Sequence, residues 1–212
     1  MAITSDPELL VLQGLRVRSL APSEVVAAAA DLPVDEVQRL LEQFRDEGLV
    51  QHREGVLTGW MLLPSGRAAG EQLLEAELEA TGLRVDVEAA YRSFLALNQR
   101  LLHACTDWQL RPSEGSEPVL NDHRDAAYDA SVVAGLRQID AEVQPIASTL
   151  ARILDRFASY PTRFTCALEK TEAGDVDWFT KPTIDSYHTV WFELHENLLA
   201  TLGIPRGSED PS

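Results

Sequence analysis

Between residues 33 and 63 the hydrophobic repeat changes abruptly from helical to strand spacing, and that change fixes the order of the elements around it. Val34, Val37, Leu40, Leu41 and Phe44 fall three and four residues apart, which predicts a helix over Pro33 to Glu47. Asp35, Glu36, Gln38, Arg39, Glu42, Gln43 and Arg45 then face outward. Gly48 suits the left-handed residue that closes such a helix. From Leu49 to Arg53 apolar and polar residues alternate, "EGVLTG" can turn the chain, and Trp60 to Leu63 can return as a second strand.

Helices are expected on both sides of this hairpin. Asp6 followed by Pro7 reads as a cap and first helical residue, with Leu9, Leu10, Leu12 and Leu15 as the apolar face through about Arg18. In "APSEVVAAAADL" Ser23 is the expected cap of a short alanine-rich helix. Beyond the hairpin, "LLPSGRAAGE" leads into a helix from Gly66 to about Ala80, which "TGL" ends. The expected division is therefore residues 1–82, a helical domain at residues 83–203 and a disordered tail at 204–212.

The second half reads as helix after helix: Asp86 to Thr106, Asp122 to about Ile139, Asp140 to Ser159 with Pro145 bending or restarting it, Thr162 to Glu172, and a last helix from Asp185 or Ser186 to about Leu202. "RPSEGSEPVLN" and "EAGDVDWFTKPTID" read as loops. The fold class expected is mainly α with one small β-hairpin.

Charge restricts the partners. The chain has 34 acidic and 18 basic residues, a net charge of −16. Up to residue 80 there are 6 basic and 14 acidic residues, and after it 12 and 20, so each part carries −8. Strong nonspecific binding to polyanions is excluded, because lysine and arginine supply most of the affinity for phosphates. No run approaches the length of a membrane span, and "MAITSDPELL" lacks the features of a secretory signal, so a cytoplasmic location is expected. Cys105 and Cys166 are expected to be buried, reduced packing residues.

The stretch "LPVDEVQRLLEQFRDEGLVQHREGVLTGWMLLPSGRAAGEQLLEAEL" resembles the recognition helix, wing and exit helix of MarR-like bacterial transcriptional regulators. The matching residues are Gly48, Leu49, Val50, Leu63, Pro64, Ser65, Gly66 and Arg67, with the family's threonine replaced at Leu63 or Pro64. The resemblance covers about the first 80 residues and implies a winged helix-turn-helix whose third helix enters the major groove of double-stranded DNA. It also implies a homodimer, formed through helices outside the winged domain. Gln38 and Arg39 are the expected base readers, since glutamine pairs adenine and arginine pairs guanine. Gln43, Arg45, Arg53 and Arg67 complete the expected DNA-binding set, with Arg16 and Arg18 as further compensating charges. Modest, salt-dependent affinity for an operator follows from the surrounding carboxylates. The alternative is an acidic adaptor whose winged domain meets a basic protein.

The helical half has no glycine-rich phosphate loop, no G-x-S-x-G elbow and no H-E-x-x-H pair, so enzyme activity and a cofactor are not expected. Its unusual segment is "DWFTKPTIDSYHTVWFELHENLL". Lys181, Tyr187, His188, Trp191 and His195 are the candidate ligand-binding residues for a small-molecule effector, because aromatic bodies with polar tips suit a pocket. Asp185 shares their helix face and would join His188, His195 and Lys181 in an acid-base reading. His188 and His195 stand about 10 Å apart along a straight helix, too far to ligate one metal ion together. The competing expectation is that the segment closes a bundle, with Trp191, Leu194, Leu198 and Leu199 as core.

Overall fold

In the computed structural model, residues 2–112, 117–205 and 207 are described. They are mainly helical, with short antiparallel strand pairs. Two compact units divide the chain. The first holds the chain as far as Val85, Ile153–Arg156 and the stretch from Glu196 to Pro205; the second holds Asp86–Arg152 and Phe157–His195. A single cut at residue 82 therefore misses that two later segments fold into the first unit. Most of the expected tail lies outside the described residues, but Ile204 still donates its N–H to the Leu199 carbonyl at 2.9 Å.

In the first unit, α1 (Pro7–Arg18), α2 (Ser23–Ala30) and α3 (Val34–Asp46) precede β1 (Val50–Arg53), β2 (Gly59–Leu62) and α4 (Pro64–Thr81). Asp6 caps α1 by accepting the Glu8 N–H at 2.8 Å. Ser23 does not cap α2: no side chain caps it, and the serine hydroxyl is engaged elsewhere. The apolar stripe of α3 buries Val37, Leu40, Leu41 and Phe44 against Val11, Leu12, Leu15, Val26 and Trp60. Full burial of one such side chain contributes about 1.5–3 kcal/mol. Gly48 takes φ +72°, the conformation expected of it where α3 gives way to the hairpin.

The hairpin pairs Val50 with Leu62 and His52 with Trp60. Ala21 adds a bridge to its outer side, exchanging N–H to carbonyl bonds with Trp60 at 3.0 and 2.8 Å. This close approach explains Gly59, where a Cβ would come within 2.7 Å of the Ala21 backbone. Gly66 has an equally definite cause. A Cβ there would lie 2.1 Å from the Leu49 carbonyl oxygen, which already accepts the Leu63 N–H at 2.9 Å. Ser65 Oγ donates to the Gly48 carbonyl at 2.6 Å. The "LPSG" segment thus sews the start of α4 onto the end of α3.

Late residues complete this unit. Ile3 pairs with Leu154 in a parallel bridge, and Ala200 packs with Leu9 and Leu74. Arg156, with its side chain only 2% exposed, donates to Glu77 at 2.9 Å, to Thr201 Oγ1 at 2.8 Å and to Asn197 Oδ1. Asn197 also accepts from Gln13 at 3.2 Å.

The second unit is built from α5 (Arg84–Gln109), the strand pair β3 (Leu110–Arg111) and β4 (Val119–Leu120), α6 (Ala126–Ile153), α7 (Tyr160–Glu172), the one-turn α8 (Asp177–Thr180) and the first half of α9 (Tyr187–Leu202). Three expectations are corrected. The helices expected on either side of Asp140 are one, with Pro145 inside it. "RPSEGSEPVLN" supplies most of a short strand pair, although residues 113–116 lie outside the described residues. Cys105 is buried, its thiol pushed up to about 12 by loss of solvent, but Cys166 is exposed.

Phe94 stacks on Trp191 at 4.3 Å, and Phe164 meets Tyr187 at 5.0 Å. Trp191 Nε1 donates to Asn98 at 3.0 Å, which satisfies the one polar atom of that ring. No helix among the described residues is long and apolar enough to cross a membrane.

Candidate nucleic-acid interface

The outer surface of α3 begins with Asp35 and Glu36 in its first turn, where the helix dipole favours carboxylates. One turn on, Gln38 is half-buried and occupied on both sides of its amide. Its Oε1 accepts from Ser23 Oγ at 2.5 Å, and its Nε2 donates to Glu42 at 2.7 Å. Trp60 Nε1 donates to the same Ser23 hydroxyl at 3.2 Å. The chain from Trp60 through Ser23 and Gln38 to Glu42 ties the hairpin, α2 and α3 together. Gln38, expected as a base reader, would have to give up both of these bonds to pair adenine.

The other expected contacts differ in freedom. Gln43 donates to Glu47 at 2.9 Å, and Arg45 holds Asp46 at 3.1 Å, both on the exposed surface. Bonds of this kind exchange readily for another partner, since exposed pairs stabilise little. Arg16 pairs with Glu71 at 2.8 Å and is largely covered, so it is not a free charge. Arg39 on α3, Arg53 at the end of β1 and Arg67 in the first turn of α4 are exposed, with no hydrogen bond or ion pair from their side chains among the described residues. They are three uncommitted guanidinium groups on three elements of one unit. Glu24, Asp31, Glu42, Asp46, Glu47 and Glu54 are also exposed in this unit.

An open cleft of about 390 Å³ lies beside this surface, between α2, α3 and the hairpin. Gln38, Arg45, His52 and Trp60 line it, and His52 meets Trp60 edge-on at 4.9 Å. The sequence gives one signal for the missed residues: Ser23 and Trp60 are polar-tipped groups in otherwise apolar positions, which demand a partner once buried.

The ligand site expected in the helical half does not assemble. Tyr187, Trp191 and His195 are 0%, 2% and 8% exposed and belong to the core. His195 lies against Phe94 at 5.5 Å and Tyr91 at 6.3 Å. Lys181 is on the surface, paired with Asp177 at 2.5 Å. His188 is half-buried, and loss of solvent lowers its pKa from the ordinary value of 6.5. Asp185 is taken up by Arg163, which grips it through two bonds at 3.0 and 3.1 Å and also holds buried Glu193 at 2.6 Å. Burial would lower the pKa of Arg163, but Glu193 and Asp185 outweigh it and leave the guanidinium above its ordinary value. Tyr187 donates to Asp140 at 3.1 Å. Burial raises the Asp140 carboxyl, against hydrogen bonds from Gln144 and Tyr187 that lower it. Tyr187, Trp191 and His195 are packed into the bundle, as in the competing expectation, while Lys181 and half-buried His188 lie outside that cluster.

No group of three or more potential metal ligands comes together among the described residues. Comparisons with protein-family models, curated proteins and solved structures return no match.

Proposed function

We propose that the first unit is a winged helix-turn-helix and that the protein is a cytoplasmic transcriptional regulator that binds operator DNA as a two-fold dimer. The observation that carries this reading is the freedom of Arg39, Arg53 and Arg67 in a unit whose Arg16 and Arg45 are ion-paired. A guanidinium held by a carboxylate must first give up that partner to meet a phosphate, whereas an uncommitted one has none to lose, and each phosphate neutralised releases counterions from the DNA. The order of three helices, a hairpin and a fourth helix supports the same reading, with α3 as the recognition helix. Arg39 is its base reader, through paired bonds to guanine. Arg53 and Arg67 contact backbone phosphates. Dimerisation sets two copies of α3 one helical turn of DNA apart.

The test is an anisotropy titration of duplex DNA from upstream of the protein's own coding region, at two salt concentrations. Arg39→Ala should weaken binding to the preferred duplex by about 1–3 kcal/mol, the discrimination given by one bidentate base contact. Gln38→Ala should alter stability and leave base preference unchanged. Absence of binding at low salt, or indifference to Arg39→Ala, overturns the reading.

A second reading has its own observation: Gln38 is committed inside the unit while Glu24, Glu42, Asp46, Glu47 and Glu54 are exposed. On this reading the winged unit is an adaptor that meets a basic protein surface. Capture of one purified basic partner that survives nuclease treatment, with no DNA binding at low salt, would favour it.

A further inference from the structure

We propose that the groove between α5 and α6 binds a short zwitterionic ligand, either a peptide of two or three residues or an ω-amino acid of similar span. The groove is open to solvent and has a volume of about 450 Å³, within the ~300–1,000 Å³ common to small-molecule sites. This assignment stands on the groove alone and does not depend on what the first unit binds.

The lining combines buried apolar side chains with one basic and one acidic residue. Ala104, Val132 and Ile139 are the buried apolar side chains. Arg100 and Asp107, both on α5, line it seven residues apart, which is about 10 Å along a helix axis. An extended peptide spans roughly 3.3–3.6 Å per residue, so the amino and carboxyl ends of a tripeptide match that separation. A simple carboxylate would satisfy Arg100 and leave Asp107 unmatched. A simple amine would do the reverse.

Both charges are available. Arg100 holds Glu142 at 2.7 Å, but the two side chains are 44% and 51% exposed, and replacing one carboxylate by another in such a pair costs little. The Asp107 side chain makes no hydrogen bond or ion pair among the described residues. His103 lies between the two on the same lining.

Gly135 is an independent observation. It lies inside α6, where glycine is about 1 kcal/mol less favourable than alanine. A Cβ added there would meet nothing within 4 Å, so packing within the protein does not require glycine. Yet Gly135 lines the groove, and a side chain at that position would project into space left open. The residue keeps the groove clear for an occupant.

Calorimetric titration of the full chain with alanyl-leucyl-alanine, its N-acetyl and C-amide forms, and ε-aminocaproate tests the proposal. At least one of the two zwitterions should bind with a submillimolar Kd, and the peptide or the amino acid binding more tightly identifies the source. Each end-blocked peptide should bind at least about ten-fold more weakly than the free peptide, the cost of about 1.4 kcal/mol. Gly135→Leu should abolish binding while melting no lower than the unaltered protein. Asp107→Asn, an exposed change that leaves the helix intact, should weaken the free peptide and leave the N-acetyl form unaffected. Failure of both zwitterions at about 10 mM, equal binding of the blocked forms, or undiminished binding to Asp107→Asn overturns the proposal.

Discussion

At the scale of single residues, the tightest constraint is Gly66. The Leu49 carbonyl occupies the place where a side chain would begin, so Gly66→Ala must push α4 away from the end of α3. A loss of about 3 kcal/mol, at the upper end of overpacking costs, is expected in urea unfolding, while alanine at Gly135 should be neutral or stabilising. His188 sets a different dependence. Burial lowers its folded pKa below the ordinary value of 6.5, so the unfolded chain takes up a proton first as pH falls. The histidine's contribution is fully present above about pH 6.5 and is lost as pH drops through the lowered folded value. Unfolding at pH 7.5 and 5.5 should show the wild type losing more stability than His188→Gln across that interval. Among residues, Asp6 and Gly48 were legible, each standing where local backbone geometry calls for it, whereas Ser23 does not cap α2 as expected and the constraint on Gly66 comes from the distant Leu49 carbonyl. Gln38 was not legible as a structural group, because a polar residue on an amphipathic helix shows nothing of the partners that the next elements bring to it.

At the scale of elements, periodicity located α3 and α5 because each has one buried face and one wet face, while α1, buried almost all round, was marked by its Asp6–Pro7 start. Periodicity failed at α6, where Asp140 and Pro145 suggest a break. Asp140 instead finds Gln144 and Tyr187, and the helix continues through both positions. In α9 the stripe of His188, Trp191 and His195 suggested a pocket; aromatic neighbours from α5 and α7 fill that space, which no local pattern can reveal. The first unit's late segments were equally hidden, since their partners are far away in sequence. Arg156 is their anchor: Arg156→Ala takes the cation from buried Glu77 and removes one donor each from Asn197 and Thr201. Breaking a buried pair in this way costs about 3–5 kcal/mol. Chemical denaturation should show that loss, and a fragment ending at residue 82 should be less stable than the same unit within the full chain.

At the scale of the whole molecule, a net charge of −16 sets the terms on which any anion is met. On the proposed DNA-binding reading, Arg53 and Arg67 hold phosphates against a repulsive background, so modest affinity that falls steeply with salt is expected. The small arginine count makes this account quantitative. Arg53 and Arg67 from two copies give four phosphate contacts, and a slope of log affinity against log salt of about −3.6 follows from roughly 0.9 per phosphate. The measurement that tests the account most directly is this slope, taken for the unaltered protein and for Arg39→Ala, Arg53→Ala and Arg67→Ala combined. A slope of about −3.6 that collapses with binding in the triple variant is the predicted result. A slope and affinity unchanged by the triple substitution, or no binding to duplex DNA at low salt, would contradict it.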